Sequence, residues 1–322
     1  MSKIMLAPME GVVDANMRRL LTSVGGIDEC VTEFVRITSQ PLPQRELLRM
    51  VPELRSAGKT ESDVPVIVQF LGSDASMIAR SSLNAVALGA LGIDLNFGCP
   101  SKTVNKHRGG AVLLDEPETI HHIVSAVREA VPAHIPVSAK MRLGNKDKSL
   151  ALDNALAIES AGASSLVIHA RTKIEGYRPP AHWHWIAQIK RAVNLPLVAN
   201  GDIWNWEDYQ QCREASECED VMIGRGVLAN PALALQIKQQ LAGSQAQEYS
   251  WAQIVALIIR YYGMVQQQLP DPFVPGRIKQ WLNMMRKHNP SAQLLFDATK
   301  RVTDLKDLTA LLEREHREAL KR

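Results

Sequence analysis

Eight short apolar runs recur in this sequence, and segments of helical character separate most of them. The runs cover residues 4–9, 30–35, 64–71, 93–97, 136–141, 166–170, 195–199 and 221–224. Several are almost continuously hydrophobic, which is typical of parallel strands buried on both faces. Eight strand–helix units in about 240 residues match the usual size of a (β/α)8 TIM barrel. A doubly wound open sheet is the alternative, but no Gly-x-Gly-x-x-Gly pattern follows an early strand.

The sequence changes character near residue 242. Residues 242–250 are small and polar, and the apolar spacing from residue 251 onward is helical. Helical patterns also cover residues 277–288 and 305–320, with a proline-rich break at residues 270–275. We therefore predict a barrel domain over residues 1–241 and an all-helical C-terminal domain over residues 242–322.

Positive charge is concentrated in the C-terminal quarter. Residues 241–322 contain 12 Lys/Arg and 8 Asp/Glu, whereas the whole chain has a formal net charge of +3. This excess fits a polyanionic partner, and it fits an ordinary solvated helical surface equally well.

The remaining composition bears on the cellular environment. Four scattered cysteines (Cys30, Cys99, Cys212 and Cys218) fit neither a disulfide framework nor a zinc site. Reduced thiols suit the cytosol, no apolar run approaches the length of a membrane span, and the N-terminus lacks a signal-peptide pattern. We expect a cytoplasmic monomer without a membrane segment or a bound metal.

Polar residues and glycines follow the predicted strands. In barrels, catalytic groups gather at the C-terminal strand ends, and phosphate often binds after strands 7 and 8. The segments 200–202 (Asn-Gly-Asp) and 224–226 (Gly-Arg-Gly) lie there and predict a phosphate site, unless the glycines only close tight turns. Lys140 and Arg142 alternate on one strand and share a face, where two cations need either an anionic or polar ligand or a structural partner such as the carboxylate of Asp94.

The sharpest single signal is Cys99, which lies between Gly98 and Pro100 just after the fourth predicted strand. A thiol with an unperturbed pKa of about 8.5 is mostly protonated near neutral pH and could donate a proton. Neighbouring Lys102 and Lys106 could instead lower that pKa and make the sulfur a nucleophile. A small buried cysteine without chemistry is the third interpretation.

Seven motifs, in order along the chain, resemble those of bacterial tRNA-dihydrouridine synthases. They are Ala7-Pro8-Met9, residues 94–100 (DLNFGCP), Gly109-Gly110-Ala111, Lys140-Met141-Arg142, residues 169–172 (HART), residues 200–203 (NGDI) and residues 222–226 (MIGRG). The segments LAPMEGV, TEFVR and RIKQWL are similar to the C-type enzyme, which is associated with uridine 16 of the tRNA D-loop. One segment departs from the family, because residues 177–183 read YRPPAHW where many members have Tyr-x-Gly-x-Ala-Asp-Trp.

The resemblance implies a TIM barrel that binds FMN, is reduced by NADPH and reduces the C5–C6 bond of a uridine in tRNA. The implied flavin-binding residues are Pro8, Met9, Glu10, Gln69, Lys140, His169, Asn200, Gly201, Asp202, Gly224 and Arg225. Flavin would deliver hydride to C6 of uracil, and Cys99 would protonate C5. The implied substrate and tRNA contacts are Arg36, Asn96, Tyr177, Arg178, Arg277 and Lys279.

Two other functions remain open from the sequence. A flavin barrel could act on a free pyrimidine, as dihydroorotate dehydrogenases do, although a small substrate requires no basic helical appendage. A tRNA-binding protein without catalysis is the other alternative, and the retained Cys99 argues against it.

Overall fold

The computed structural model describes residues 2–321, and its centre is a closed parallel barrel. The strands are β1 (Ile4–Leu6), β2 (Glu29–Val31), β3 (Val35–Arg36), β4 (Val66–Leu71), β5 (Ile93–Phe97), β6 (Val137–Arg142), β7 (Ser165–His169), β8 (Leu197–Asn200) and β9 (Asp220–Ile223). β1 pairs with both β2 and β9, and β2 also pairs with β4, so eight strands close on themselves. This confirms the predicted (β/α)8 barrel and excludes the open sheet.

The second predicted strand is interrupted. β2 ends at Val31, and the short β3 pairs with the far end of β4. Between them, the Thr32 hydroxyl accepts a hydrogen bond from the backbone N–H of Gln69 at 2.9 Å. In an unbroken parallel pair, a backbone carbonyl would accept this hydrogen bond from Gln69. Because the Thr32 side chain accepts it instead, the pairing with β4 is interrupted and the apolar run forms two strands, β2 and β3.

Helices surround the barrel and continue to the C-terminus. Those of the barrel region are α1 (Ala15–Val24), α2 (Gln44–Met50), α3 (Ala75–Ala87), α4 (Lys102–Lys106), α5 (Pro117–Ala130), α6 (Ala151–Ser160), α7 (Trp183–Lys190), α8 (Trp206–Ser216), α9 (Arg225–Ala229) and α10 (Leu233–Leu241). The C-terminal helices are α11 (Trp251–Gln268), α12 (Val274–Met285), α13 (Pro290–Thr299) and α14 (Leu305–Ala319). The sequence did not predict α13, which buries only Ala292, Leu295 and Thr299 and therefore has a weak periodic pattern.

The predicted division at residue 242 coincides with the end of α10, and residues 242–250 separate α10 from α11. However, one hydrophobic cluster runs from the barrel into the C-terminal helices. Trp281 of α12 is 1% exposed, and its Nε1 donates to the carbonyl oxygen of Leu228 in α9 at 3.0 Å. The two-domain description stays a prediction. None of the helices within residues 2–321 is long and apolar enough to cross a membrane.

The interior of the barrel is apolar at one end and polar at the other. Met5, Ile67, Val167, Val198 and Met222 belong to a small cluster that is separate from the helix-facing core. Because alternate strand residues share a face, the residues two positions farther along these strands also point inward. Those residues are Ala7, Gln69, His169, Asn200 and Gly224. The strand register thus brings polar side chains together at the C-terminal end of the barrel.

Candidate active site

A cavity of about 640 Å³ opens at the C-terminal ends of the barrel strands. This volume lies within the range of roughly 300–1,000 Å³ that is typical of ligand pockets. Fifteen residues predicted from the sequence line it, namely Pro8, Met9, Glu10, Arg36, Gln69, Asn96, Cys99, Lys140, His169, Tyr177, Asn200, Gly201, Asp202, Gly224 and Arg225. The other three, Arg178, Arg277 and Lys279, lie outside the cavity lining.

Lys140 places its amine in the lining of the cavity. Its Nζ donates to Asn200 Oδ1 at 2.9 Å, and Asn200 Nδ2 donates to the backbone carbonyl of Met222 at 2.8 Å. The second bond fixes the Asn200 amide with its oxygen towards Lys140. Burial, together with the nearby Arg142 guanidinium, lowers the pKa of Lys140 to about 7. An anionic or electron-rich ligand at this position would restore the charged form of Lys140.

His169 lies beside these cations and is 8% exposed. Burial lowers its pKa well below the usual value, and Arg142 and Lys140 lower it further. The imidazole is therefore neutral near pH 7 and can offer a hydrogen bond without adding positive charge to the cavity.

The far side of the cavity carries a fixed arginine. Asp202 accepts hydrogen bonds from both Arg171 and Arg225, the latter at 2.7 Å. The Arg225 guanidinium also lies over the rings of Tyr177 and Trp204, at 4.7 and 5.1 Å from their centroids. The Asp202 carboxylate thus orients Arg225, whose remaining N–H groups can bind an anion.

Gly224 keeps space open beside that arginine. A Cβ atom at Gly224 would approach Ala7 Cβ and Met9 Sδ at 3.3 Å each. This is tighter than ordinary van der Waals contact, so a larger residue would displace the loop after β1. The backbone here can approach a ligand only because the residue is glycine.

The backbone of Cys99 is held by the side chains of Asn96 and Asn105. The Cys99 backbone N–H donates to Asn96 Oδ1 at 2.9 Å, and the Cys99 carbonyl accepts from Asn105 Nδ2 at 2.8 Å. Cys99 lines the cavity and is only partly buried, whereas Cys30, Cys212 and Cys218 are buried. The thiol is therefore placed to meet a ligand.

The protonation state of Cys99 separates the interpretations that the sequence left open. Burial is the largest influence, and it raises the pKa of the thiol. Lys102 and Lys106 are exposed on α4 and do not produce the lowered pKa that an activated nucleophile needs. A protonated thiol at neutral pH suits a proton donor better than a nucleophile.

Arg142 joins the Cys99 loop to the loop after β7. Its Nε donates to the Gly98 carbonyl at 2.9 Å, and its Nη1 donates to the Gly176 carbonyl at 3.0 Å. The guanidinium also lies 5.2 Å from the ring centroid of Tyr177. The spacing of Lys140 and Arg142 along one strand predicted that the Arg142 side chain points into the barrel. Its hydrogen bonds to two separate loops could not be predicted, because they depend on the tertiary structure.

The segment that departs from the family pattern, residues 177–183, has internal partners of its own. His182 Nε2 lies 2.9 Å from Glu175 Oε1, and Trp183 Nε1 donates to the Gly201 carbonyl at 2.8 Å. Arg178 is exposed on this segment, and its Nη2 donates to the carbonyl of Ile174 at 3.2 Å. Arg178 therefore lies on the rim, outside the cavity lining.

Sequence comparison decides the family to which this site belongs. The family profile described as Dihydrouridine synthase (Dus) matches residues 5–320. The chain belongs to the dihydrouridine synthase family. A relative from Aquipseudomonas alcaligenes named tRNA-dihydrouridine(16) synthase is 48% identical over 310 residues, covering 96% of this chain and 98% of the relative.

Other comparisons agree with this family membership. The tRNA-dihydrouridine(16) synthases of Ralstonia nicotianae and of Neisseria meningitidis serogroup B are 49% and 48% identical, over 97% and 98% of this chain and 96% of each relative. Among solved structures, a 2-naphthoyl-CoA reductase complex aligns with a TM-score of 0.56 and 12% identity. It covers 75% of this chain and 50% of the reductase. At that identity the likeness concerns the fold alone.

Arg277 of this dihydrouridine synthase family member lies on α12 and makes hydrogen bonds within the protein. Its guanidinium donates to the carbonyls of Gly11 and Val12, to Asp14 Oδ2, to the Tyr261 hydroxyl and to a glutamine of α12. The side chain is only 16% exposed. These contacts join α12 to the loop after β1, and the phosphate contact expected of Arg277 stays a prediction.

Several residues of the cavity were assigned no role from the sequence. Phe34, Met50, Ile203 and Trp204 also line the cavity. Trp204 stacks on His288, between α12 and α13, with ring centroids 4.4 Å apart. No local pattern marks such residues, because the contact joins segments far apart in the sequence. Within residues 2–321, no cluster of three or more His, Cys, Asp or Glu has the arrangement of a metal site.

Proposed function

We propose that this protein is a tRNA-dihydrouridine synthase that binds FMN, accepts electrons from NADPH and reduces uridine 16 of the D-loop. The single observation that carries the proposal is that Cys99, a half-buried thiol with a raised pKa, lies in the same cavity as the amine of Lys140. The family membership and the names of the relatives supply the substrate class.

The residues present fit FMN. A ring system needs an apolar wall with a few polar groups, and Ala7, Met222 and Ile223 line the cavity together with Gln69 and Lys140. A phosphate needs oriented cations and close backbone, which Arg225 and Gly224 supply. FMN, when bound, would supply the hydride that reduces C6 of uracil.

Each protein group then has a defined task. Lys140 would place positive charge near the FMN ring system and so stabilise negative charge that develops on it. Asn96 uses its Oδ1 and one Nδ2 hydrogen within the protein, and the second Nδ2 hydrogen is available for a uracil carbonyl. Tyr177, under the guanidinium groups of Arg142 and Arg225, gives the uracil an aromatic neighbour.

Cys99 completes the addition of two hydrogens across the C5–C6 bond. Hydride at C6 leaves negative charge on C5 and O4 of the uracil, and the Cys99 thiol donates its proton to C5. The resulting thiolate recovers a proton from water before the next turnover. Because burial raises the thiol pKa, Cys99 carries this proton throughout the neutral pH range.

A tRNA uridine must leave its stack to reach this cavity. Extrusion costs a few kcal/mol, and less from a loop than from a duplex. Cations that bind the phosphate backbone offset this cost. Lys102 and Lys106 are exposed beside the mouth, Arg36 lines it, and Lys279 lies on α12. We propose these as RNA contacts, with Arg178 on the rim, and assign Arg277 to docking.

One experiment tests the reaction and its position. The purified protein is assayed for bound flavin, reduced by NADPH without oxygen and mixed with unmodified tRNA in a single turnover. We expect one FMN per chain, rapid flavin reoxidation by tRNA, no reoxidation by free uridine, and dihydrouridine at position 16. FAD, turnover of free uridine, or the product at another position would each contradict the corresponding part of the proposal. A cytoplasmic location and a monomeric state remain predictions.

A further inference from the structure

A buried carboxylate, Asp94, lies next to the candidate active site without lining the cavity. It points into the barrel from β5 and is 1% exposed. Its Oδ1 accepts from Ser138 Oγ at 2.6 Å and its Oδ2 accepts from Gln69 Nε2 at 2.7 Å. Burial raises the pKa of this carboxyl to about 6, so its ionised form is costly to the folded protein. Because the Asp94 carboxylate is costly to bury and does not line the cavity, we looked to its hydrogen-bond partners for its role.

Asp94 begins a series of amide hydrogen bonds that ends at Cys99. Gln69 turns its Nε2 towards Asp94 and its Oε1 towards Asn96, whose Nδ2 donates to it at 2.7 Å. Asn96 Oδ1 then accepts from the backbone N–H groups of Gly98 and Cys99, each at 2.9 Å. Gln69 and Asn96 are 0% and 8% exposed, so water has little access to this series.

The direction of the series depends on its first member. An ionised carboxylate only accepts hydrogen bonds, so it requires the NH2 group of Gln69 and leaves the Gln69 oxygen for Asn96. The same argument turns the Asn96 oxygen towards the Cys99 loop. If both amides rotated by half a turn, the Asn96 NH2 group would face two N–H donors and the loop would lose its acceptor. Buried donors without acceptors are strongly disfavoured.

We propose that Asp94 is a positioning residue that sets the direction of this series and thereby holds the loop of Cys99 in its reactive place. The proposal rests on the proposed function, because it concerns the loop that carries the proton donor. Asp94 itself contacts neither the cofactor nor the uracil in this proposal and acts through Gln69 and Asn96.

The direct test measures hydrogen exchange at the Gly98 and Cys99 amides in the holoenzyme. Asp94→Asn preserves the side-chain shape but can donate as well as accept, so it no longer fixes the Gln69 amide. We expect these two amides to exchange about 2–10-fold faster, the factor that corresponds to one lost hydrogen bond. Ser138→Ala is the matched control, because it removes the other bond to Asp94 without changing the direction of the series. Its Gly98 and Cys99 amides should exchange as in the wild type.

A charge swap separates direction from a merely structural role. In the double variant Asp94→Asn/Gln69→Glu, the new amide at position 94 can donate to one oxygen of the new carboxylate at position 69, and the other oxygen accepts from Asn96. The series again offers an acceptor to the Cys99 loop, so protection of the two amides should return to near the wild-type value. Protection that stays low in the double variant while the chain remains folded would overturn the proposal.

The catalytic readout is the ratio of two half-reactions. Asp94→Asn should slow anaerobic flavin reoxidation by unmodified tRNA roughly 10–100-fold, because small displacements of a reacting group cost that much. Reduction by NADPH, which does not use Cys99, should slow far less. Slowed reoxidation with unchanged amide exchange would mean that Asp94 acts through its charge alone, and the proposal would be overturned.

A further test measures amide exchange in the wild-type protein as a function of pH, so it does not depend on whether a variant folds. Protonating Asp94 should mimic Asp94→Asn, so exchange protection of the Gly98 and Cys99 amides, corrected for intrinsic rates, should fall as pH drops through about 6. The charged groups that face Asp94 are Lys140 on β6 and Glu29 on β2. Protection that is constant from pH 7.5 to 5 would refute the proposal. Failure of wild-type protein to use tRNA would refute the proposed function and leave this exchange result standing.

Discussion

Replacement of Cys99 by alanine tests the central chemical assignment. The thiol lines the cavity and is only partly buried, so its removal leaves little new cavity and should cost less than about 1 kcal/mol of folding free energy. The backbone of Cys99 keeps its bonds to Asn96 and Asn105, because these involve the peptide N–H and carbonyl. The variant should therefore fold, bind FMN and accept electrons from NADPH at nearly the wild-type rate.

The loss should appear only when tRNA reoxidises the flavin. General acid catalysis contributes roughly 10²–10⁴-fold, or about 3–5 kcal/mol of transition-state stabilisation. We expect single-turnover reoxidation by unmodified tRNA to slow by a factor within that range, because the charge that develops on C5 finds no proton. The assay is flavin absorbance under anaerobic conditions, since oxygen would otherwise compete with the RNA.

The other cysteines provide the controls. Cys30, Cys212 and Cys218 are buried away from the cavity, so alanine at each should leave reoxidation largely unchanged after correction for any loss of stability. In the wild type, the acid form of Cys99 should persist through neutral pH and be lost only as pH rises through its raised pKa. If Cys99→Ala reoxidises its flavin at the wild-type rate, Cys99 is not the proton donor, and Lys140 or a bound water must donate the proton instead.

Further predictions follow from the cavity and from α12. The pKa of Lys140 is lowered to about 7 in the folded chain, so flavin-free protein should gain stability as pH rises from 7 towards 10.5, and Lys140→Met should flatten that slope in thermal unfolding scans. Gly224→Val should weaken FMN binding by roughly tenfold in a fluorescence titration, because its Cβ would press on Ala7 and Met9 and such overpacking costs about 1–3 kcal/mol. Arg277→Ala should lower the free energy of unfolding by about 1.5–3 kcal/mol in a denaturant titration, and an unchanged midpoint would contradict the docking role. Lys279→Ala should leave that midpoint unchanged but reduce the salt dependence of tRNA binding by about one unit of log–log slope; an unchanged slope would remove Lys279 from the RNA surface.

Hydrophobic pattern and contiguous motifs were enough to predict the barrel and most of its cavity. Buried parallel strands require continuous apolar runs, so the eight strands that close the barrel could be recognised from hydrophobicity, with their ends displaced by a few residues and the break between β2 and β3 not foreseen. The period of two along a strand predicted that Lys140 and Arg142 share the inward face, whereas His169 and Asn200 were assigned to the site by the family resemblance, and all four line the cavity. The Cys99 loop could also be identified, because its motif is contiguous along the chain.

The charge states, partners and roles of individual groups depend on the folded chain. Cys99 has neighbouring lysines in sequence, yet burial raises its pKa, since desolvation depends on what packs around the thiol. Arg277 belongs to a basic region and still turns inward, because Asp14 and Tyr261 meet it from distant parts of the chain. Hydrophobic periodicity specifies which face of a strand or helix is buried. It contains no information about which distant polar group will lie within about 3 Å of a given side chain, and that contact determines both protonation and function.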